Sequence, residues 1–252
     1  MTNHLVNYAL SNQMSKSTIN RETKIKILMS AKKEFACYGF AGARMDSIAR
    51  QTGVNKAMLH YYFGSKDQLY KEVIIYLVSM GARGDFGFNF LKEDFTPTQK
   101  LGLMIYFVVS IHFDGIDHDF HRIIAWDFAE GKNSLKMLVK DYFGPALVRL
   151  ETIVIEGISK GEFHSRNPLM SVWSFIVFLL TYINQQEIYR DTEIYHRLYG
   201  ENSKQIMLDF LFSHVFQSLG VMPSIGVKDI PAEILTDMDN SIKKLKNERD
   251  VE

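Results

Sequence analysis

The sequence predicts an all-α protein: a small basic N-terminal domain of three helices containing a helix-turn-helix, followed by a larger helical domain. Three observations carry that prediction. Apolar residues recur at helical spacing along most of the chain with glycine and proline as punctuation, and no alternating strand pattern bounded by hairpin turns stands out. At 252 residues, 46% hydrophobic and 23% charged, the chain is long enough and apolar enough to bury a core unaided. Residues 16–82 hold eleven Lys/Arg against five Asp/Glu and residues 83–252 hold eighteen against twenty-four, so a net charge of zero divides into +6 and −6. That asymmetry is expected if the first part meets a polyanion and the rest does not. The lone Cys37 excludes an intramolecular disulfide and a multi-cysteine zinc site, and a reduced, cytoplasmic setting is expected. The apolar runs Leu101–Phe113 and Leu169–Ile183 fall short of the roughly 20 residues that cross a bilayer, so no membrane partner is expected.

Residues 1–20 lack Asp and Glu and show no sustained periodicity, which reads as a mobile leader. From Arg21, the residues Ile27, Leu28, Ala31, Phe35 and Tyr38 mark a first amphipathic helix, stopped at Gly39. Asp46–Thr52 forms a short second helix ending at Gly53, and Asn55 caps a third through Phe63. Ser65 and Gln68 have capping-box spacing and open a fourth helix, Ser65 to Ala82, with Leu69, Val73, Ile74 and Leu77 on its apolar side. Three glycines between Gly81 and Gly87 then read as a break. Helical runs follow at Thr98–Phe113, Phe120–Glu130, Ser134–Ser159, Leu169–Tyr189 and Asn202–Leu219, of which Ser134–Ser159 is kinked or divided at Gly144-Pro145. Pro231–Asn247 is more polar and reads as a docked helix or a partly ordered tail. The expected division is 1–20 leader, 21–66 helix-turn-helix domain, 67–222 helical domain and 223–252 C-terminal extension.

The sharpest motif lies between residues 45 and 63. Two helices crossing steeply need a small residue at their contact, a flexible residue at the turn and apolar residues locking the second helix; Ala49, Gly53, Val54 and Leu59 supply these. In that geometry the second helix enters the DNA major groove, and Lys56, Ala57, Met58, His60, Tyr61 and Tyr62 offer a cation, apolar surface and aromatic donors to phosphates and base edges. Adjacent Tyr61 and Tyr62 cannot share one helix face, so at least one ring is exposed, whereas Leu59 and Phe63 belong to the core.

The residues Ile27-Leu28, Ala31, Phe35, Gly39-Phe40, Ile48-Ala49, Gly53-Val54 and Leu59-His60-Tyr61-Tyr62-Phe63-Gly64-Ser65-Lys66 with Leu69 resemble the N-terminal domain of the TetR family of bacterial transcriptional regulators. The resemblance covers about residues 22–80. It implies a homodimer with an N-terminal DNA-reading domain and a C-terminal domain that binds a small molecule and dimerises, and a repressor that leaves its operator when the ligand binds. Carried over residue by residue, it places Lys56, Ala57, Met58, His60, Tyr61 and Tyr62 on the recognition helix, with Arg44 and Met45 at the start of the preceding one. Lys66 matches the family's phosphate-binding lysine, a role that also suits a cation at a helix N-terminus. Met45 stands where many members have Thr and cannot donate a hydroxyl hydrogen bond. His60 stands where Tyr is usual, and its contact is expected to be shorter and pH-sensitive.

The aromatic wealth of residues 101–190 points to an apolar effector, with Met104, Phe107, Trp126, Phe143 and Trp173 as candidate cavity residues. A competing reading is an all-helical, metal-dependent enzyme using Asp114, Asp117, His118, Asp119 and His121 in a loop at 114–121; a capped turn accounts for the same residues. No metal, no cofactor and no catalytic residue is expected, since no Walker loop, dinucleotide fingerprint, HExxH or nucleophile elbow is found. Apolar residues on several sides of Leu169–Tyr189 and Asn202–Leu219 predict the dimer interface.

Overall fold

The computed structural model describes residues 2–81, 87–116, 118–132, 134–221 and 225–251, with side chains other than those of 2–20, 78–81, 135 and 248–251. Every element among the described residues is helical. The helices are α1 (Thr2–Gly42), α2 (Met45–Thr52), α3 (Lys56–Phe63), α4 (Lys66–Gly81), α5 (Pro97–Ser110), α6 (His118–Ala129), α7 (Ser134–Leu138), α8 (Gly144–Ser159), α9 (Pro168–Tyr189), α10 (Tyr195–Tyr199), α11 (Ser203–Ser218) and α12 (Ala232–Val251). Single π turns follow α5 (Ile111–Gly115) and α7 (Val139–Phe143).

The expected leader is helical in its backbone from Thr2 and continues directly into α1. No glycine or proline interrupts residues 2–38, so nothing local stops the helix before Gly39. There the backbone turns to φ 66°, ψ −177°. The break expected at Gly81–Gly87 and the end of the fourth helix at Ala82 fall largely on 82–86, outside the described residues. The alternatives at Gly144-Pro145 resolve into two helices, α7 and α8, joined by the π turn whose closing bond runs from the Gly144 N–H to the Val139 carbonyl.

Two cores organise the chain. The first gathers Ile27, Phe35, Ile48, Leu59, Leu69 and Ile74 from α1–α4 and extends to Phe120 and Ile123 of α6 and Leu138 of α7. The expected boundary at residue 66 therefore falls inside a packed cluster, because the apolar face of α4 completes the three-helix domain. The second core joins α5, α8, α9, α11 and α12, with Leu103, Val154, Phe175, Phe212 and Met238 fully covered. Of the two readings for the C-terminal segment, the docked helix holds: Ile234, Met238 and Ile242 recur every fourth residue along α12 and are all buried.

α9 departs from expectation. At 22 residues it is long and apolar enough to cross a membrane by length and composition alone. Only 17% of its most apolar window is buried, although Val172, Phe175 and Leu179 pack into the second core.

Candidate nucleic-acid interface

Local chemistry builds the helix-turn-helix. Gly53 closes α2 at φ 73°, where an added Cβ would meet nothing, so glycine is required for backbone conformation rather than for space. The Asn55 side chain accepts the Met58 N–H at 2.8 Å and starts α3. Ser65 accepts the Gln68 N–H at 3.1 Å, but the Gln68 side chain turns to Glu72 instead of returning, so half of the expected capping box forms.

α2 lacks a side-chain cap of its own, and sequence reasoning missed what replaces it. Glu34 of α1, 4% exposed, accepts the Arg44 N–H at 3.1 Å, the Ser47 hydroxyl at 2.9 Å and the Gln51 amide at 3.3 Å. One carboxylate thus caps α2 from a neighbouring helix and fixes the angle at which α2 and α3 stand on α1. The available signal was a glutamate seven residues after Ile27 and three after Ala31, on the buried face of α1.

On α3, Leu59 and Phe63 point into the core while Lys56, Ala57, His60 and Tyr61 face solvent. Tyr61 is 80% exposed; Tyr62 is half-buried against the core, with its ring 5.4 Å from that of Tyr61 and nearly perpendicular to it. Met58 is half-buried. Lys56 pairs with Asp46 at 3.0 Å, both side chains well exposed. His60 Nδ1 lies 2.8 Å from the Gly64 carbonyl, which only accepts, so Nδ1 carries the proton in this bond and Nε2 is the outer nitrogen. Arg44 is exposed, and Met45 is half-buried against the first core. Lys66 reaches back: its Nζ lies 4.8 Å from the Phe40 ring centroid and donates to the Ala41 carbonyl at 3.3 Å, and desolvation holds its pKa below the usual lysine value.

A second unforeseen arrangement seats this domain on α6. The Glu130 carboxylate accepts the Phe40 and Ala41 N–H groups, each at 3.1 Å, and the Trp126 indole donates to the Ala36 carbonyl at 3.2 Å. Tyr70 donates to buried Asp127 at 3.1 Å; desolvation and that carboxylate push the phenol upward. A Cβ on Gly39 would come within 2.6 Å of Glu130 Oε1 and 3.0 Å of Trp126, so the kink admits only glycine.

The five candidate effector residues do not converge. Met104 and Phe107 are buried in the second core, Phe143 packs on the first, Trp126 lies at the α1 junction, and Trp173 is 45% exposed on α9. Aromatic composition identified interior and surface residues alike, because it carries no information on which helix faces meet. The acidic loop also disperses: Asp114 pairs with Lys204 at 2.5 Å and Asp119 with Lys32 at 3.4 Å, Asp117 lies outside the described residues, and no metal-ligand group of three or more forms among those described.

A family model described as bacterial regulatory proteins, tetR family, matches residues 27–73, which span α2 and α3, the first half of α4 and the C-terminal part of α1. Residues 27–73 thus match the TetR family. Among TetR relatives, the HTH-type transcriptional repressor SCO4008 of Streptomyces coelicolor is 42% identical over 52 residues, 21% of this chain and 27% of its own. The HTH-type transcriptional repressor NicS of Pseudomonas putida is 26% identical over 165 residues, 64% of this chain and 76% of its own. The match therefore spans about a quarter of the first relative and three quarters of the second. The TetR-type fold recurs in the crystal structure of FadR from Bacillus subtilis in complex with stearoyl-CoA, with TM-score 0.55 and 20% identity over 74% of this chain and 96% of that one. These TetR-family relatives are regulators rather than enzymes, which leaves the metal-dependent reading of residues 114–121 without support.

Proposed function

We propose that this protein is a ligand-responsive transcriptional repressor of the TetR family that binds a near-palindromic operator as a homodimer and releases it when a mostly apolar small molecule binds. The carrying observation is the divided surface of α3: Leu59 and Phe63 anchor it while Lys56, Ala57, His60 and Tyr61 stand clear on the outer face of a basic domain. In the groove, Tyr61, His60, Ala57 and Lys56 read base edges, with half-buried Met58 and Tyr62 at the margin. Arg44 and Lys66 hold phosphate, Lys66 by leaving its Ala41 carbonyl; Met45 contributes apolar contact only. The DNA-reading unit is 21–66 with α4 as its continuation, 67–222 binds effector and partner, and 223–252 braces the second domain. Such a protein works in the cytoplasm, beside its DNA.

The dimer reading rests on surface that one chain leaves open. Met170, Trp173, Val177 and Ile188 on α9 and Ile206 and Phe210 on α11 are 39% to 74% exposed, and Phe178 meets Phe210 at 5.0 Å to join the two helices into one apolar face. Monomers rarely leave so continuous a face in water, and a two-fold partner covers it with the same surface. The test is a gel shift and footprint on the DNA upstream of its own gene. Two protected half-sites about 34–36 Å apart support the reading; uniform affinity for unrelated DNA contradicts it.

A further inference from the structure

The turn that follows α6 carries a cation to the edge of the DNA-reading domain. Gly131, at φ 63°, reverses the chain after Glu130, and the Lys132 N–H closes back on the Asp127 carbonyl at 3.0 Å. That return brings Lys132 to Phe40, just past the kink of α1, with its Nζ 3.2 Å from the ring centroid. Lys66 at the start of α4 uses the same ring, at 4.8 Å. Two ammonium groups from separate parts of the chain therefore sit against one half-buried aromatic side chain.

Neighbouring carboxylates do not account for the arrangement. Both oxygens of Glu130 accept backbone N–H groups, from Phe40 and Ala41, so that carboxylate is committed to the kink. Asp67 stands 3.7 Å from Lys132, longer than a hydrogen bond, and its side chain is 69% exposed, so solvent screens the pair. Lys66 and Lys132 repel across the ring they share; desolvation, with the Lys132 charge adding to it, lowers the Lys66 pKa. An anion between the two ammonium groups relieves that repulsion. Phe40 meanwhile meets Tyr70 edge-on at 5.3 Å and stacks on Phe35 at 6.3 Å, so it presents both cations from a fixed place.

The position also suits DNA. The His60 ring bonds the Gly64 carbonyl at 2.8 Å and Lys66 follows two residues later, so the exposed side of α3 runs directly into this cluster. A helix lying in the major groove is flanked by sugar-phosphate backbone. We propose that Lys132 is a phosphate contact beside Lys66, so that the operator backbone is held by the turn after α6 as well as by the reading domain. The inference rests on the operator-binding reading above and adds a contact outside 21–66.

The test uses the full-length protein and the footprinted operator in fluorescence anisotropy across a salt series. Lys132→Gln, which keeps a stem against Phe40 and removes the charge, is expected to weaken operator and unrelated DNA about equally, by about threefold or more, and to lower the salt slope by about one. Lys132→Arg should restore the slope. Operator duplexes that each carry one uncharged methylphosphonate then locate the contact: at one phosphate the wild type and Lys66→Ala should lose affinity while Lys132→Gln loses none. A purely structural role for Lys132 moves neither readout, and melting followed by circular dichroism establishes that the variants fold. A wild-type slope in Lys132→Gln, weaker binding at an unchanged slope, or the absence of any phosphate whose neutralisation Lys132→Gln masks overturns the proposal. If Lys66→Ala behaves as expected and Lys132→Gln does not, only this inference falls; if the wild type binds its operator without salt dependence, the operator reading falls and the inference with it.

Discussion

The DNA-reading domain and the larger helical domain are held together by different means. In the first, buried polar groups are tied: Glu34 satisfies three donors, Asn55 caps α3, and Glu130 takes two backbone N–H groups at the α1 kink. In the second, the core is almost wholly apolar, α5 ends in a π turn, and Asp239 Oδ1 has no partner among the described residues. Directional bonds fix one geometry, while apolar packing with unfilled acceptors leaves alternatives close in energy. A reader of DNA needs the former, and a domain that changes on binding a ligand needs the latter.

The hardest way to break the comparison is at the junction. Gly39→Ala forces a Cβ into Glu130 and Trp126 at a positive φ, and is expected to cost about 3 kcal/mol of stability, read by urea denaturation. Acid probes the other domain. The unfolded His112 ring protonates near 6.5 and the folded one only near 4, so stability is held above pH 6.5 and lost as pH falls between those values, by up to about 3 kcal/mol. His112→Phe should flatten that part of the pH profile. Glu34→Ala strips the cap from α2 and leaves buried donors unmatched; about 2 kcal/mol is expected, with DNA affinity falling because the angle of α3 is no longer fixed. Lys56→Ala sits at the small end: the exposed pair with Asp46 is worth less than about 0.5 kcal/mol, so melting is unchanged while sequence preference on DNA shifts.

The same contrast governs what was legible in the sequence. Gly53, Asn55 and Ser65 act within three residues of themselves, so the helix-turn-helix and its outward face were readable, including the exposed ring of the Tyr61-Tyr62 pair. Glu34 acts ten to seventeen residues away and Glu130 about ninety, and no local pattern announces either. Trp126 and Phe143 were assigned to a ligand cavity on composition, yet helix packing delivers them to the first core and its junction. The π turns have no periodic signature; they arise where tertiary packing overrides a regular helix.

The central claim, that the outer face of α3 with Lys66 behind it reads DNA, is tested most directly by fluorescence anisotropy on the footprinted operator across a salt series. Wild-type affinity should fall at least about a hundredfold between 50 and 200 mM salt. Lys66→Ala should lower affinity for operator and unrelated DNA about equally and reduce the salt slope by about one, whereas Tyr61→Ala should weaken operator binding selectively. Salt-independent binding, or a Tyr61→Ala protein as selective as wild type, would contradict it.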